Sequence, residues 1–143
     1  MISLNSAVTD FIPQRAPFIF IDRLVKADEQ MTKTEFSVPY QHIFVADGQL
    51  IEEGLIENMA QTAAAGVGYR QLSEGREVGL GFIGAVQKMI IHQAVPAGSS
   101  IYTVVREETT FAGVHLISAE VYDSQEDHLI ANAQLKIFLK ENG

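Results

Sequence analysis

The chain has 143 residues, a net charge of −8, 47% hydrophobic and 20% charged residues. This describes a single globular domain over 1–143 and excludes a disordered chain. The lack of any dense Lys/Arg run argues against a nucleic-acid partner, and the absence of cysteine excludes a disulfide framework and a thiolate zinc site. Met1–Ser6 has neither a basic n-region nor an apolar h-region, and no apolar run reaches membrane-spanning length, so a cytoplasmic protein is expected.

In chain order, Ser6 to Phe11 suits a short helix ending before Pro13. The aromatic and β-branched run from Phe18 to Val25 suggests a strand, as does the alternation from Met31 to Val38. A turn-rich loop from Pro39 to Gly48 leads into a long helix from about Gln49 to Leu72, with Ile51, Leu55, Met59 and Ala63 at helical spacing. Its second half is built of small residues: Ala60, Ala63, Ala64, Ala65, Gly66 and Gly68. Glycine is poor in a helix interior, so two of them predict close approach by other parts of the chain. A helix that is small and apolar nearly all round is a central one. Ser73–Arg76 is a turn, and the remainder is strand-like. Gly81 to His92 is an apolar run broken by Gly84 and Gln87-Lys88. After the Pro96-Ala97-Gly98 turn come strands Ile101–Thr110 and Val114–Tyr122, then a polar turn over Asp123–Asp127. In the last strand Ala131, Ala133, Leu135, Ile137 and Leu139 face one way, and Asn132, Gln134, Lys136 and Lys140 the other. One long helix and about six antiparallel strands predict an α+β fold, a sheet wrapped around a single helix.

Glu57 stands in the middle of that helix. Apolar surroundings disfavour the ionised form of an unpaired carboxylate, which is the property of a general acid working near neutral pH. The alternative is a Glu on the one solvated stripe of the helix. Among the four histidines, His128 in a polar turn and His115 in a strand read as surface or structural residues, and His92 before the Pro96 turn as structural. His42 lies in the loop before the central helix, where the chain can fold back toward Glu57. A His–Glu pair suits proton transfer. No Ser or Lys stands out as an activated nucleophile, and the stretch has too few ligands for a metal.

Three motifs resemble those of the hotdog-fold 3-hydroxyacyl-acyl-carrier-protein dehydratases. Ile12-Pro13-Gln14-Arg15-Ala16-Pro17-Phe18, followed by Asp22-Arg23, is similar to their opening L-P-H-R-x-P-F-x-x-x-D-R. Glu57-Asn58-Met59-Ala60-Gln61 is similar to their E-A-M-A-Q helix, and Val95-Pro96-Ala97-Gly98 to the V-x-P-G-D turn. The R-A-P-F opening and M-A-Q-T helix are most similar to the divergent dehydratase-like proteins of aryl-polyene and flexirubin pigment clusters. The resemblance implies a hotdog fold and a cofactor-free dehydration of 3-hydroxyacyl thioesters held on acyl carrier protein. It assigns Glu57 as the acid and His42 as the base, the two coming from different subunits of a homodimer or a heterodimer with a related dehydratase. It further implies that backbone N–H groups at the helix start, near Gly54, polarise the thioester carbonyl, and that the acyl chain runs along the small face of the helix, with Ala60, Gln61 and Ala64 against it.

The chain departs from the pattern at three places. His42-Ile43-Phe44-Val45 stands where the family has H-F-P-G, with a one-residue gap before the histidine. Ile51-Glu52-Glu53 replaces P-G-V at the helix start, which suits the helix dipole but would oppose a developing enolate if both acids faced the site. Gln14 stands at the family's opening histidine. Three functions therefore remain open: an active dehydratase, a catalytically weak partner of one, and an acyl thioesterase using Glu57 to activate water. Arg15, Arg23, Lys26, Arg70, Arg76 and Lys88 are available to meet an acidic carrier protein.

Overall fold

The computed structural model describes residues 2–76 and 80–140. A 3₁₀ turn at Val8–Asp10 precedes strands β1 (Arg23–Ala27) and β2 (Met31–Ser37). Two short strands, β3 (Val45–Ala46) and β4 (Gln49–Leu50), then lead into helix α1 (Glu52–Ser73). Strands β5 (Leu80–Ile91), β6 (Ser100–Phe111), β7 (Val114–Asp123) and β8 (Leu129–Lys140) complete the chain. The six long strands form one antiparallel sheet in the order β1-β2-β6-β7-β8-β5. Helix α1 lies across its inner face, touching β1, β2, β5, β6 and β7. This is the α+β arrangement expected from the pattern, a sheet wrapped around one helix, and the hotdog fold that the resemblance implies.

Two expected elements differ. Phe18–Ile21 is not part of a strand; β1 begins only at Arg23. The helix starts at Glu52, because Gln49 and Leu50 pair with Ala46 and Val45 in a small ribbon. The breaks anticipated in the fifth strand are real: the β5–β8 register shifts between Ile83 and Ala85 and between Gln87 and Ile90, with Lys88 at φ +52°. In β8, Ala131, Ala133, Leu135 and Ile137 are buried. The expected facing of Leu139 and Lys140 lies outside the described side chains.

The central position of α1 follows from its small residues. On one side Leu55, Met59 and Ala63 join the main core with Phe20, Ile101, Ile117 and Leu135. On another, Ala65 joins a second core formed by the N-terminal arm, with Phe11, Ile12, Ile21 and Leu24. Burying Leu55 and Met59 contributes about 2–3 kcal/mol each, an amount only a helix covered on both sides collects along its whole length. The two glycines in its second half mark the closest approaches. A Cβ on Gly66 would lie 1.9 Å from Thr32 Oγ1, and one on Gly68 would lie 2.2 Å from the Phe11 carbonyl oxygen. Alanine normally improves a helix by about 1 kcal/mol over glycine. At Gly68 the neighbour is backbone, and overpacking costs about 1–3 kcal/mol, so the sign reverses. Gly68→Ala is expected to lower the urea midpoint, whereas a gain in stability would mean that the arm does not clamp the helix.

Candidate functional site

The segment Phe18–Phe20 runs beside the first half of α1, and helix side chains take the place of a neighbouring strand. Gln61 Oε1 accepts from the Phe20 N–H at 2.6 Å, and Gln61 Nε2 donates to the Phe18 carbonyl at 2.7 Å. Asn58 Nδ2 donates to the Phe20 carbonyl at 2.8 Å. Asn58 and Gln61 are one turn apart, so both amides point the same way, and both are fully buried. The network continues inward: Thr103 donates to Asn58 Oδ1, Thr62 Oγ1 donates to the Asn58 carbonyl, and Thr62 shares a 2.7 Å hydrogen bond with Thr34. Each of these buried side chains is hydrogen-bonded, which is what burial demands.

Glu57 sits one turn before Gln61, at the rim of this network. It is half-buried, and its Oε1 accepts a 2.8 Å hydrogen bond from Gln61 Nε2. The carboxylate therefore belongs to neither extreme of the sequence reading: it is held in a set orientation yet keeps contact with solvent. Gln61, expected against the acyl chain, instead spends its amide on Phe18, Phe20 and Glu57.

His42 packs on the rings of Phe20 and Phe44, with centroid distances of 4.8 and 5.4 Å. Its Nδ1 accepts from the Phe44 N–H at 3.0 Å, so the ring proton resides on Nε2, which donates to the Pro17 carbonyl at 2.7 Å. His42 is thus anchored to the carbonyl of Pro17, and Glu57, through Gln61, to the carbonyl of the next residue, Phe18. One chain brings both groups to the same segment, which follows the cis Ala16–Pro17 peptide. The tautomer has a chemical consequence: the basic lone pair is on Nδ1 and already occupied by a backbone N–H.

The remaining expected residues are more scattered. Gly54 is buried where α1 begins; a Cβ there would meet Leu50 Cδ1 at 2.5 Å and Phe44 Cβ at 3.0 Å. Its N–H donates to the Ile51 carbonyl at 3.0 Å. Glu52 and Glu53 are exposed. Ala60 is half-buried, and Ala64 lines a cavity further along the helix. Most of the cations proposed to meet a carrier protein have local partners: Arg23 with Glu35, Lys26 with Asp28, Arg76 with Glu74, Arg15 with the Ile12 and Gln14 carbonyls, and Arg70 with the Asp28 carbonyl. Lys88 lies at the second break of β5.

Sequence reasoning passed over two groups. Asn58 makes one of the three hydrogen bonds of the backbone clasp, and its signal was its place beside Glu57 at helical spacing from Gln61. The other is a second His–carboxylate pair: His115 Nδ1 and Thr110 Oγ1 both hydrogen-bond Glu107. Burial pushes the Glu107 carboxyl up. The hydrogen bonds from Thr110 and His115 and the positive charges of His115 and Arg70 outweigh it, and hold the group below its ordinary 4.5. A carboxyl lowered on folding stabilises the protein above its unfolded pKa and loses that contribution as pH falls through the folded value.

Two measurements check these assignments. Gln61→Leu leaves the Phe20 N–H and the Phe18 carbonyl without partners and is expected to cost about 2–4 kcal/mol in urea unfolding; an unchanged midpoint would show that the clasp is ornamental. Glu107→Gln is expected to flatten the acid limb of stability below about pH 4.5, modestly because the pair is partly wet. Parallel acid limbs in wild type and variant would remove Glu107 from that role.

The geometry agrees with what comparison with known proteins finds. The model of the ApeP-like family, described as ApeP dehydratase, matches residues 6–142. No curated protein sequence matches the chain. Among solved structures, the dehydratase heterocomplex ApeI:P from Xenorhabdus doucetiae superposes with a TM-score of 0.85 at 15% identity, over 95% of this chain and 92% of that one. The Escherichia coli PaaI protein of the phenylacetic acid degradation operon superposes with a TM-score of 0.65 at 13% identity, over 80% of each chain. Mouse thioesterase superfamily member 2 gives 0.61 at 14% identity, over 81% of this chain and 79% of that one. At such identities these likenesses establish the fold alone. The family model, spanning nearly the whole sequence, establishes more: the chain belongs to the ApeP-like family of hotdog dehydratases.

Proposed function

We propose that the protein takes part in removing water from 3-hydroxyacyl thioesters carried on acyl carrier protein, with Glu57 as the acid. The observation that supports this reading is that each chain anchors both groups, by different means, to the Pro17–Phe18 segment, so that a pair of chains can offer Glu57 of one beside His42 of the other. Glu57 is half-buried and oriented by Gln61, while His42 is fixed by its ring proton to the neighbouring carbonyl. Dehydration requires one group to take the C2 proton and another to deliver a proton to the departing C3 hydroxyl. The C2–H electrons become the C2–C3 double bond as the C3–O bond breaks, and the proton from Glu57 completes the water. His42 would act through Nδ1, whose lone pair must first be released by the Phe44 N–H.

That last requirement favours a second reading, in which this chain is the catalytically weak partner in a heteromeric dehydratase. A base whose lone pair already accepts a backbone hydrogen bond is a poor one until the loop rearranges. The surface suits such a partner. Strand β5 is a sheet edge with Ile90 and Ile91 exposed at 51% and 44%, and an apolar, unpaired edge invites another strand. Phe18, Tyr40 and Ile43, beside His42, are also exposed. The solved ApeI:P structure is itself a heterocomplex.

Mass spectrometry of a 3-hydroxyacyl-carrier-protein, incubated with this chain alone and with a related dehydratase, separates the readings. Loss of water with this chain alone selects the active enzyme, and Glu57→Gln is then expected to slow it by about 10²–10⁴-fold, with His42→Ala comparably damaging. Loss of water only in the mixture selects the partner role. Release of free acid selects hydrolysis and overturns both.

A further inference from the structure

Both backbone groups of Phe20 are held by helix side chains. Asn58 Nδ2 donates to its carbonyl at 2.8 Å, and Gln61 Oε1 accepts from its N–H at 2.6 Å. A residue has only two soft backbone angles. Holding its N–H and its carbonyl together leaves those angles little freedom and fixes the direction in which its side chain departs. The Phe20 ring aimed in this way is 1% exposed. It packs on Phe36 at a centroid distance of 4.7 Å, on His42 at 4.8 Å and, edge to face, on Phe44 at 5.4 Å. Phe20 is thus a wall on which both aromatic rings of the His42 turn lean.

That turn depends on the wall. The Val45 N–H donates to the His42 carbonyl at 3.0 Å, and the Phe44 N–H donates to His42 Nδ1 at 3.0 Å. The second of these bonds joins a side chain to an amide two residues on, so it survives only while the imidazole keeps its place. On the outer side Tyr40 and Ile43 are exposed and give the ring no backing. Phe20 gives it from within.

Asn58 is the part of this support that is not shared with Glu57. Gln61 also donates to Glu57, so a change at Gln61 disturbs both groups of the candidate site. The Asn58 side chain bonds instead to the Phe20 carbonyl and to the Thr103 hydroxyl, and Asn58 and Thr103 are both fully buried. A side-chain amide can present either of its ends. The Thr103 hydroxyl, donating to Oδ1, turns the NH₂ end toward Phe20. Alanine, which the E-A-M-A-Q pattern has at this place, could form neither bond.

We propose that Asn58 is a positioning residue for His42. Through the carbonyl and ring of Phe20 it keeps the imidazole closed on the Phe44 N–H, and so sets how readily Nδ1 is released. The bearing of that release on proton transfer rests on the function proposed above; the hold on His42 does not.

Amide exchange and imidazole nitrogen spectra of wild type, Asn58→Ala, Phe20→Leu and the double variant test the assignment. In folded Asn58→Ala the Phe44 N–H is expected to exchange about tenfold faster than in wild type. The His42 Nδ1 resonance is expected to move from its hydrogen-bonded toward its free position. A purely structural Asn58 would instead lower the protection of amides inside α1, which report on larger openings, and leave Phe44 and His42 unchanged. That result overturns the proposal. Because the route runs through the Phe20 ring, Asn58→Ala is expected to add little to the effect of Phe20→Leu; fully additive effects on Phe44 exchange would show another route and overturn it as well. Where Asn58→Ala does not fold, Thr103→Val decides. It keeps Asn58 but frees its amide to turn, and is expected to speed Phe44 exchange about threefold, an unchanged rate counting against the proposal. Failure of the dehydratase reading shows separately, as absence of water loss in the mass-spectrometric assay, and leaves the exchange results standing.

Discussion

The structure depends on two helix amides doing the work of a strand. Asn58 and Gln61 hold the peptide groups of Phe18 and Phe20, so the N-terminal arm is fastened to the helix and not to the sheet. The arm's amide groups would otherwise be buried without partners, each at a cost of about 1–3 kcal/mol. Fastened this way, the segment leaves the Pro17 and Phe18 carbonyls in the positions on which His42 and the Gln61–Glu57 pair depend. The clasp is at once a folding device and the frame of the candidate site.

The same arrangement accounts for the small-residue helix. With the sheet on one side and the arm on another, α1 cannot carry large side chains all round, and at Gly66 and Gly68 it cannot carry any. A helix confined on several sides moves little, so the groups projecting from its first turns keep their relative positions. Glu57 owes its fixed orientation to this stiffness as much as to its hydrogen bond with Gln61.

The two His–carboxylate arrangements sit along one helix and differ in a way that matters chemically. His42 makes hydrogen bonds through both nitrogens, and its proton lies on Nε2. His115 donates a hydrogen bond from Nδ1–H to Glu107, which leaves the lone pair on Nε2. The first is closed by its own backbone and opens only if the loop shifts. The second is open toward a cavity. Proton transfer asks for a free lone pair, and the backbone or carboxylate neighbours of each imidazole decide whether it has one.

The antiparallel sheet, its inward and outward faces and the central helix were legible in the amino-acid order, because periods of 2 and 3.6 are set by local geometry. Glu57 was legible for the same reason: an acid at helical spacing among alanines stands out without any knowledge of its surroundings. The Phe18–Ile21 segment was misread because its aromatic and β-branched residues have strand propensity, while its backbone partners are side chains 38 to 43 residues away. His115 reads from sequence only as a surface or structural residue, because its partner Glu107 comes from the neighbouring strand across a register shift. Local sequence therefore determined which elements form and which faces they bury. Which polar groups meet, which tautomer each histidine adopts and where a cavity remains were decided by the tertiary structure, since hydrogen bonds and packing act between atoms that the chain order does not place together.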